Sequence, residues 1–490
     1  MTDFRALVAG WAVPLSLLGI GAWGVFASLY FLIPGGGAGQ WITCAVITLL
    51  VAFASVHLAR RNQFSTVAIA PAEKHDGRKY VVLVTIIVAA RLIPYFVFPA
   101  DHWIDSKVYD ELARTLAATG EYRLTGDYPF TSSRSYWPPG VVFLFAPFYA
   151  LLGQERWIVL GVNIVLAVAT MLLAGRVVRI NFGERASLFV MAAIAIWPNH
   201  AYHAMFISKE YLSIALLLGA IALFQTTDDD RPAPWRSLLA GMMLGFATLA
   251  QPSQLLVILV FLIAFWLGRH AFGPIALRGI LIAMGMALVI LPWTARNYVL
   301  LGEAVLTNTA NGISLLEGSQ DGAGGDWIAV PPEIEFIEDE LVRNRVAREA
   351  ALEWIAENPG PWARNAIVKQ LWLLGQSHRG VFIAVRDFHP PGSPIFEVQK
   401  IWSILFMLAI WAAMIYVASR MMGRPQSWFV IFAVGILAYF LIMHSVFGSG
   451  GRHQLIPGIL AIMIAAKAAA TRPVSVFTRS DEQRREAGRK

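Results

Sequence analysis

Apolar runs recur along this chain from one end to the other, and they limit its fold before any motif is read. Runs near 7–33, 41–59, 80–98, 157–177, 187–200, 207–224, 236–250, 254–268, 278–298, 399–418, 427–447 and 453–470 are each long enough to cross, or nearly cross, a bilayer. Inside lipid every backbone N–H and C=O needs a partner within its own segment, so such runs have to be helices. The expectation is an all-α polytopic membrane protein with about twelve transmembrane helices. Only 14% of the 490 residues are charged and 57% are hydrophobic, against about 25% charged in a soluble domain. The first run, residues 6–34, is too long for a signal-peptide core and reads as a retained span. A thirteenth run, 141–153, follows "WPPG" and is too short to cross comfortably; it reads as re-entrant or interfacial.

The basic residues test this count. Arg60, Arg61, Lys74, Arg78 and Lys79 lie between the second and third spans, and Arg176, Arg179 and Arg185 follow the fourth. Arg231 and Arg236, Arg269 and Arg278, and Arg420 and Arg424 occupy later connections, and the tail after Thr471 is basic. If 141–153 does not cross, all of them share one side, which the positive-inside rule makes the cytoplasm. Both termini are then cytoplasmic. The net charge of +7 reflects this topology rather than a nucleic-acid partner. The single cysteine, Cys44, lies in an apolar run, which excludes an internal disulfide and a cysteine-based metal site.

The expected organisation follows. Residues 1–79 hold two N-terminal spans and a basic loop. Residues 80–298 form a transmembrane core with a first outer loop at 99–140. Residues 299–398 form a small outer subdomain, 399–470 the last spans, and 471–490 a basic tail. In the first outer loop, "DSKVYDELARTLAATG" has Tyr109, Leu112, Ala113 and Leu116 at helical spacing, which predicts a helix lying along the membrane and ended by Gly120. Asp105 opens it, either as an ordinary N-cap carboxylate or as a group turned toward chemistry. Arg134, Lys209, Arg296, Arg452 and His453 lie at outer span ends or in adjoining loops. Each is either a lipid-headgroup anchor or a phosphate ligand, a role that suits the planar donor fork of arginine. Lys209 and Glu210 can pair with each other. Arg91, inside the third span, reads as a helix-packing cation. His200 with His203, and His444 with His453, are two-His coincidences without carboxylates at ligand spacing, so no metal is expected.

Several stretches stand out in order along the chain: "IDSKVYDELARTLAATGEYRLTG" running on to "PFTSSRSYWPPGVVFLFAPFYALLG", then "ISKEYLSIALLLGAIAL", "GFATLAQPSQLLV", "LPWTARNYVLLGEAVLTNTANGISLLEGSQDGAGG" and "FGSGGRHQLIPGIL". They resemble the GT-C superfamily of lipid-phosphate-sugar glycosyltransferases, nearest its protein O-mannosyltransferase and aminoarabinose-transferase branch. Together they span about 80–470, leaving the two N-terminal helices outside the pattern. Three positions depart from it. Gln251 stands where arginine is common, Ser106 follows Asp105 where the protein mannosyltransferases carry a second carboxylate, and Trp137 precedes "PP" where another branch has lysine.

The resemblance implies a GT-C fold and inverting transfer from a polyprenyl-phosphate sugar to an acceptor hydroxyl on the outer face of a bacterial inner membrane. The acceptor would be a glycan, a glycolipid or a protein, and no cofactor beyond the lipid-linked donor is implied. Asp105 matches the position of the family's base. Attack on an anomeric carbon with a departing phosphate calls for one carboxylate and several cations at headgroup depth. Asp105 would be the base. Arg134, Lys209, Arg296, Arg452 and His453 would hold the phosphate, and Asp101, Tyr109 and Glu210 would support them. The competing expectation is a lipid-linked-sugar flippase, although the sequence shows no internal repeat and most of its ionisable groups sit at outer span ends.

Overall fold

The computed structural model of the chain describes residues 2–61, 77–103, 105–126, 133–225, 233–268, 272–324 and 328–470. Lys74, Arg231, Arg269, the tail 471–490 and part of the Gly-rich loop around 325–327 lie outside the described residues. Among those described, the regular elements are all helices. Seven are long and apolar enough to cross a membrane: Phe4–Leu32, Gly37–Arg61, Gly77–Val97, Arg156–Phe182, Ile275–Leu301, Pro394–Met421 and Trp428–Val446. The other five expected spans are also helices, but of only 11 to 17 residues: Glu184–Ile196, Lys209–Phe224, Pro234–Ala250, Val257–Leu267 and Leu455–Ala465. The expected helices are therefore present, and seven of the twelve reach spanning length.

Side-chain contacts tie the helix ends together in two groups. At one end of the bundle Arg420 donates to the Ala59 carbonyl at 2.8 Å and Tyr80 to Glu184 at 2.7 Å. There the N–H of Gly423 also meets the Gly10 carbonyl, and the guanidinium of Arg5 lies 4.8 Å from the Trp266 ring. The described basic connections gather at this end. The opposite end holds Asp105 and the outer segments.

The short helix Gly140–Leu152 keeps both its ends at the Asp105 end. Just before it, the Trp137 carbonyl accepts from Tyr122, and in its last turn Tyr149 donates to Asp110. It packs along the outer-loop helix Asp105–Thr119 instead of leading to the far end.

The juxtamembrane helix Asp105–Thr119 buries Ser106, Val108, Tyr109, Leu112, Ala113 and Thr115 on one face and stops at Gly120, whose φ of 75° is the left-handed conformation that glycine adopts without strain. The outer segment is helical too. Helix Glu340–Glu357 is capped by Asp339, whose carboxylate accepts from the N–H groups of Leu341 and Val342. A small core of Tyr136, Ile313, Leu316, Val330, Ala347 and Ala351 joins it to the first outer loop. Helix Pro359–Gly375 packs on Phe4–Leu32 and Trp428–Val446, which keeps the outer segment against the membrane helices.

Candidate functional site

The site forms where three chain segments meet. Asp105, at the start of the juxtamembrane helix, accepts a charge-assisted hydrogen bond from Arg452. Arg452 lies in the loop between Trp428–Val446 and Leu455–Ala465. Its Nε is also 4.0 Å from Glu210, and the Nδ1 of His453 is 3.6 Å from the same oxygen. The other Glu210 oxygen accepts from Ser208 at 2.7 Å. Glu210 thus faces Arg452 and His453 rather than forming the expected ion pair with Lys209.

The electrostatics are set by burial against convergent charge. Burial alone would raise the pKa of Asp105, but Arg452, Lys209 and Arg379 outweigh it and hold the carboxyl below its ordinary value. Burial and the Asp105 charge push the Tyr109 phenol well up, so it stays neutral; its ring meets Trp137 edge-on at 5.7 Å. Burial, His444 and the nearby cations push His453 well below its usual value. His453 is therefore a neutral imidazole and not the cation the sequence led us to expect.

The loop carrying Arg452 is held on every side. The N–H of Gly451 donates to the Gln376 side chain at 2.8 Å, and Asn199 donates to the Gly451 carbonyl at 3.1 Å. Gln454 donates to the Leu374 carbonyl and to Ser377. A Cβ on Gly451 would lie 2.2 Å from the Gln376 carbonyl oxygen, so "GSGGRH" needs glycine there for close approach. Lys369, buried and expected from no motif, closes the end of helix Trp428–Val446 by donating to the Ser445 and Val446 carbonyls.

Arg296 is placed differently. Its guanidinium donates to the Arg134 carbonyl at 2.9 Å, Ser135 Oγ at 2.8 Å and Asn297 Oδ1 at 3.0 Å, and it lies 4.5 Å from the Trp293 ring. Within the same motif Trp293 donates to the Thr307 carbonyl and Asn297 to that of Val305. "PWTARN" is thus a latch on the first outer loop. Glu340 completes it by accepting from the N–H groups of Arg134 and Ser135 and from Thr309.

Arg134 contributes its backbone to this latch while its side chain is exposed. Asp101 is also displaced from the expected set: it is exposed and pairs with Arg156 at 3.4 Å. Arg91 is buried and donates to the carbonyls of Ile87, Ala195 and Ile194, in keeping with a helix-packing cation. The structure adds Arg379, which the sequence reading missed. It acts on Asp105 electrostatically, and its guanidinium lies 4.8 Å from Trp103, with Arg386 4.7 Å from the same ring. Among the described residues no cluster of three His, Cys, Asp or Glu could hold a metal ion.

Residues 137–294 match the family described as dolichyl-phosphate-mannose-protein mannosyltransferase. Over this third of the chain, the resemblance read from the motifs is borne out. The matched segment includes Lys209, Glu210 and the first half of "PWTARN", while Asp105, Arg296 and Arg452 lie outside it. No curated protein matches the chain. Among solved structures, the archaeal oligosaccharyltransferase AglB from Archaeoglobus fulgidus, in complex with an inhibitory peptide and a dolichol-phosphate, is similar at 14% identity and TM-score 0.47, over 84% of this chain and 51% of that one. ArnT from Cupriavidus metallidurans, bound to undecaprenyl phosphate, is similar at 14% identity and TM-score 0.42, over 81% and 78%. The chain thus spans about half the length of the archaeal enzyme.

Proposed function

We propose that this protein is an inverting glycosyltransferase that moves a sugar from a polyprenyl-phosphate donor to an acceptor hydroxyl on the outer face of a bacterial inner membrane. The observation that carries this reading is the Asp105–Arg452 pair at the end of the bundle opposite the basic connections, with Lys209, Arg379 and His453 around it. Arg452 and Lys209 hold the donor phosphate, which is itself a good leaving group, so stabilising its charge matters more than protonating it. As the phosphate takes over the Arg452 guanidinium, Asp105 is freed to act. It accepts the acceptor's hydroxyl proton while the acceptor oxygen bonds to the anomeric carbon. The bond from that carbon to the phosphate oxygen breaks with its electron pair, and polyprenyl phosphate leaves. Attack opposite the leaving group inverts the centre. The neutral phenol of Tyr109 and the Glu210 carboxylate line the pair. The basic end of the bundle faces the cytoplasm by the positive-inside rule, which turns the site and the outer segment 299–398 to the periplasm. The acceptor is a glycan, a glycolipid or a protein.

Arg91, the ionisable group deepest in an expected span, donates to the carbonyls of Ile87, Ala195 and Ile194 and lies 2.6 Å from Nδ1 of His200, a packing role that favours the transferase reading over a flippase. Two measurements on purified full-length protein in detergent test the proposal. One is sugar release from mannosyl- and aminoarabinosyl-undecaprenyl phosphate; the other is affinity for undecaprenyl phosphate itself. Turnover abolished in Asp105→Asn, and affinity lost in Arg452→Ala, support it. Turnover of Asp105→Asn at the wild-type rate, in protein that still folds, refutes it.

A further inference from the structure

Beside Asp105 lies a buried polar chain that the transfer step does not use. Ser106 is 6% exposed. Its Oγ accepts the backbone N–H of Ile207 at 2.9 Å and lies 2.7 Å from Nδ1 of His102. While accepting from Ile207, the Ser106 hydroxyl can also donate to Nδ1 of His102, the arrangement in which the His102 proton sits on Nε2. That nitrogen faces Asp110 at 3.8 Å. Asp110 is fixed by Tyr149 from the short helix at 2.5 Å and by Arg114 at 2.7 Å. These contacts link helix Gly140–Leu152, the juxtamembrane helix and the loop 204–208, with the His102–Asp110 step an electrostatic contact rather than a hydrogen bond.

That loop leads directly into Lys209 and Glu210. From its other side Asn163 donates to the carbonyls of Ala204 and Phe206, at 2.9 and 2.8 Å. A buried loop needs such partners for its backbone groups, and Ser106 supplies the one closest to the charged residues. Asp105 and Ser106 are neighbours, as are the loop and Lys209. A single hydroxyl therefore fixes the loop bearing one member of the charged cluster relative to the helix bearing another.

We propose that Ser106 is a positioning residue that sets Lys209 against Asp105 and Arg452, and so shapes the site for a lipid phosphate. This rests on the donor-binding reading above. It is tested by the affinity of the purified full-length protein for undecaprenyl phosphate, in a double-mutant cycle. Ser106→Ala is expected to weaken binding about 3- to 10-fold, and Ser106→Thr, which keeps the hydroxyl, to restore it to within about twofold. Lys209→Ala weakens binding on its own, and adding Ser106→Ala to it costs little more, because the serine acts through the lysine. His102→Ala removes the partner of the Ser106 hydroxyl and gives a smaller loss with the same coupling. It serves as the second variant if Ser106→Ala does not fold. Losses that simply add to that of Lys209→Ala, or wild-type affinity in both Ser106→Ala and His102→Ala, overturn the proposal. So does an altered melting temperature with unaltered affinity, which marks a purely structural hydroxyl. If Arg452→Ala binds as wild type does, the donor-site reading itself falls; if only the Ser106 and His102 variants do, this inference falls alone.

Discussion

Two arginines with similar sequence settings end up in opposite circumstances. Arg296 in "PWTARN" and Arg452 in "GSGGRH" both sit at outer span ends, and both suggested phosphate ligands. The structure spends Arg296 on the Arg134 carbonyl and on Ser135 and Asn297, all within the first outer loop and its own motif. It turns Arg452 toward two carboxylates, Asp105 and Glu210. What separates them is what remains for a ligand. Carbonyl-bound donors hold a loop, whereas donors bound to a carboxylate can be exchanged for a phosphate. On the proposed function the two regions divide the work, Arg296 bracing the first outer loop and Arg452 carrying the exchangeable charge.

The largest effect should come from the carboxylate. Asp105→Asn is expected to lower turnover at least about 100-fold, the usual contribution of a positioned general base, while the melting temperature stays within a few degrees. Next, Arg452→Ala should weaken undecaprenyl phosphate binding by about 10- to 100-fold, the equivalent of a charge-assisted hydrogen bond of about 1.5–3 kcal/mol, with Arg452→Lys in between. Arg296→Ala should do the reverse. Leaving its acceptors unpaired costs about 1–3 kcal/mol, seen as faster proteolysis within 133–137, with a smaller change in phosphate affinity. An Arg296→Ala protein that loses phosphate binding while its loop resists protease would break the contrast between the arginines.

The smallest effect is a pH dependence that separates the site from its surroundings. Burial lowers His203 to about 4 and His378 to about 3. The unfolded chain binds these protons near pH 6.5 and the folded chain only well below that. The unfolded state therefore holds more protons in this window, and stability falls as pH drops from about 6.5 toward 4. Asp105 acts in another window. Its depressed pKa stabilises the fold fully above the unfolded value near 3.9, and that share is lost only as pH falls through the lower folded value. A melting curve that drops between pH 6.5 and 4, and does so more shallowly in His203→Gln, would assign that part of the loss to His203 and leave the rest to His378.

The helices were legible because lipid leaves the backbone few alternatives, and the juxtamembrane helix because its apolar spacing is regular. Asp105, Lys209, Glu210, Arg452 and His453 were legible individually, as polar groups close to span ends. Their meeting was implied by the family resemblance alone. Asp105 and Arg452 are separated by most of the chain, and no periodicity reports which loop faces which. For the same reason the sequence leaves Arg296 open as a headgroup anchor or a phosphate ligand, since a span-end arginine looks alike whether it meets a carbonyl or a phosphate. Arg379 carries no sequence signal of its own. Ser106 stood out only as a departure from the family pattern, and its importance comes from the N–H of Ile207. His453 could be located but not its charge, which depends on burial beside His444.

The first helix has a consequence in time. A Cβ on Gly24 would lie 2.4 Å from the Trp411 ring, and one on Gly375 would lie 2.2 Å from the Ala27 carbonyl oxygen, so Phe4–Leu32 is wedged among helices from the last third of the chain. Synthesis at about 5–20 residues per second puts roughly 20 to 80 seconds between Gly24 and Trp411. Once in the bilayer this helix must wait, its Gly24 face without the partner it has in the finished fold, until the helix carrying Trp411 has been made. A chaperone or insertase that shields that face during the wait would decide how much of the chain reaches its native state.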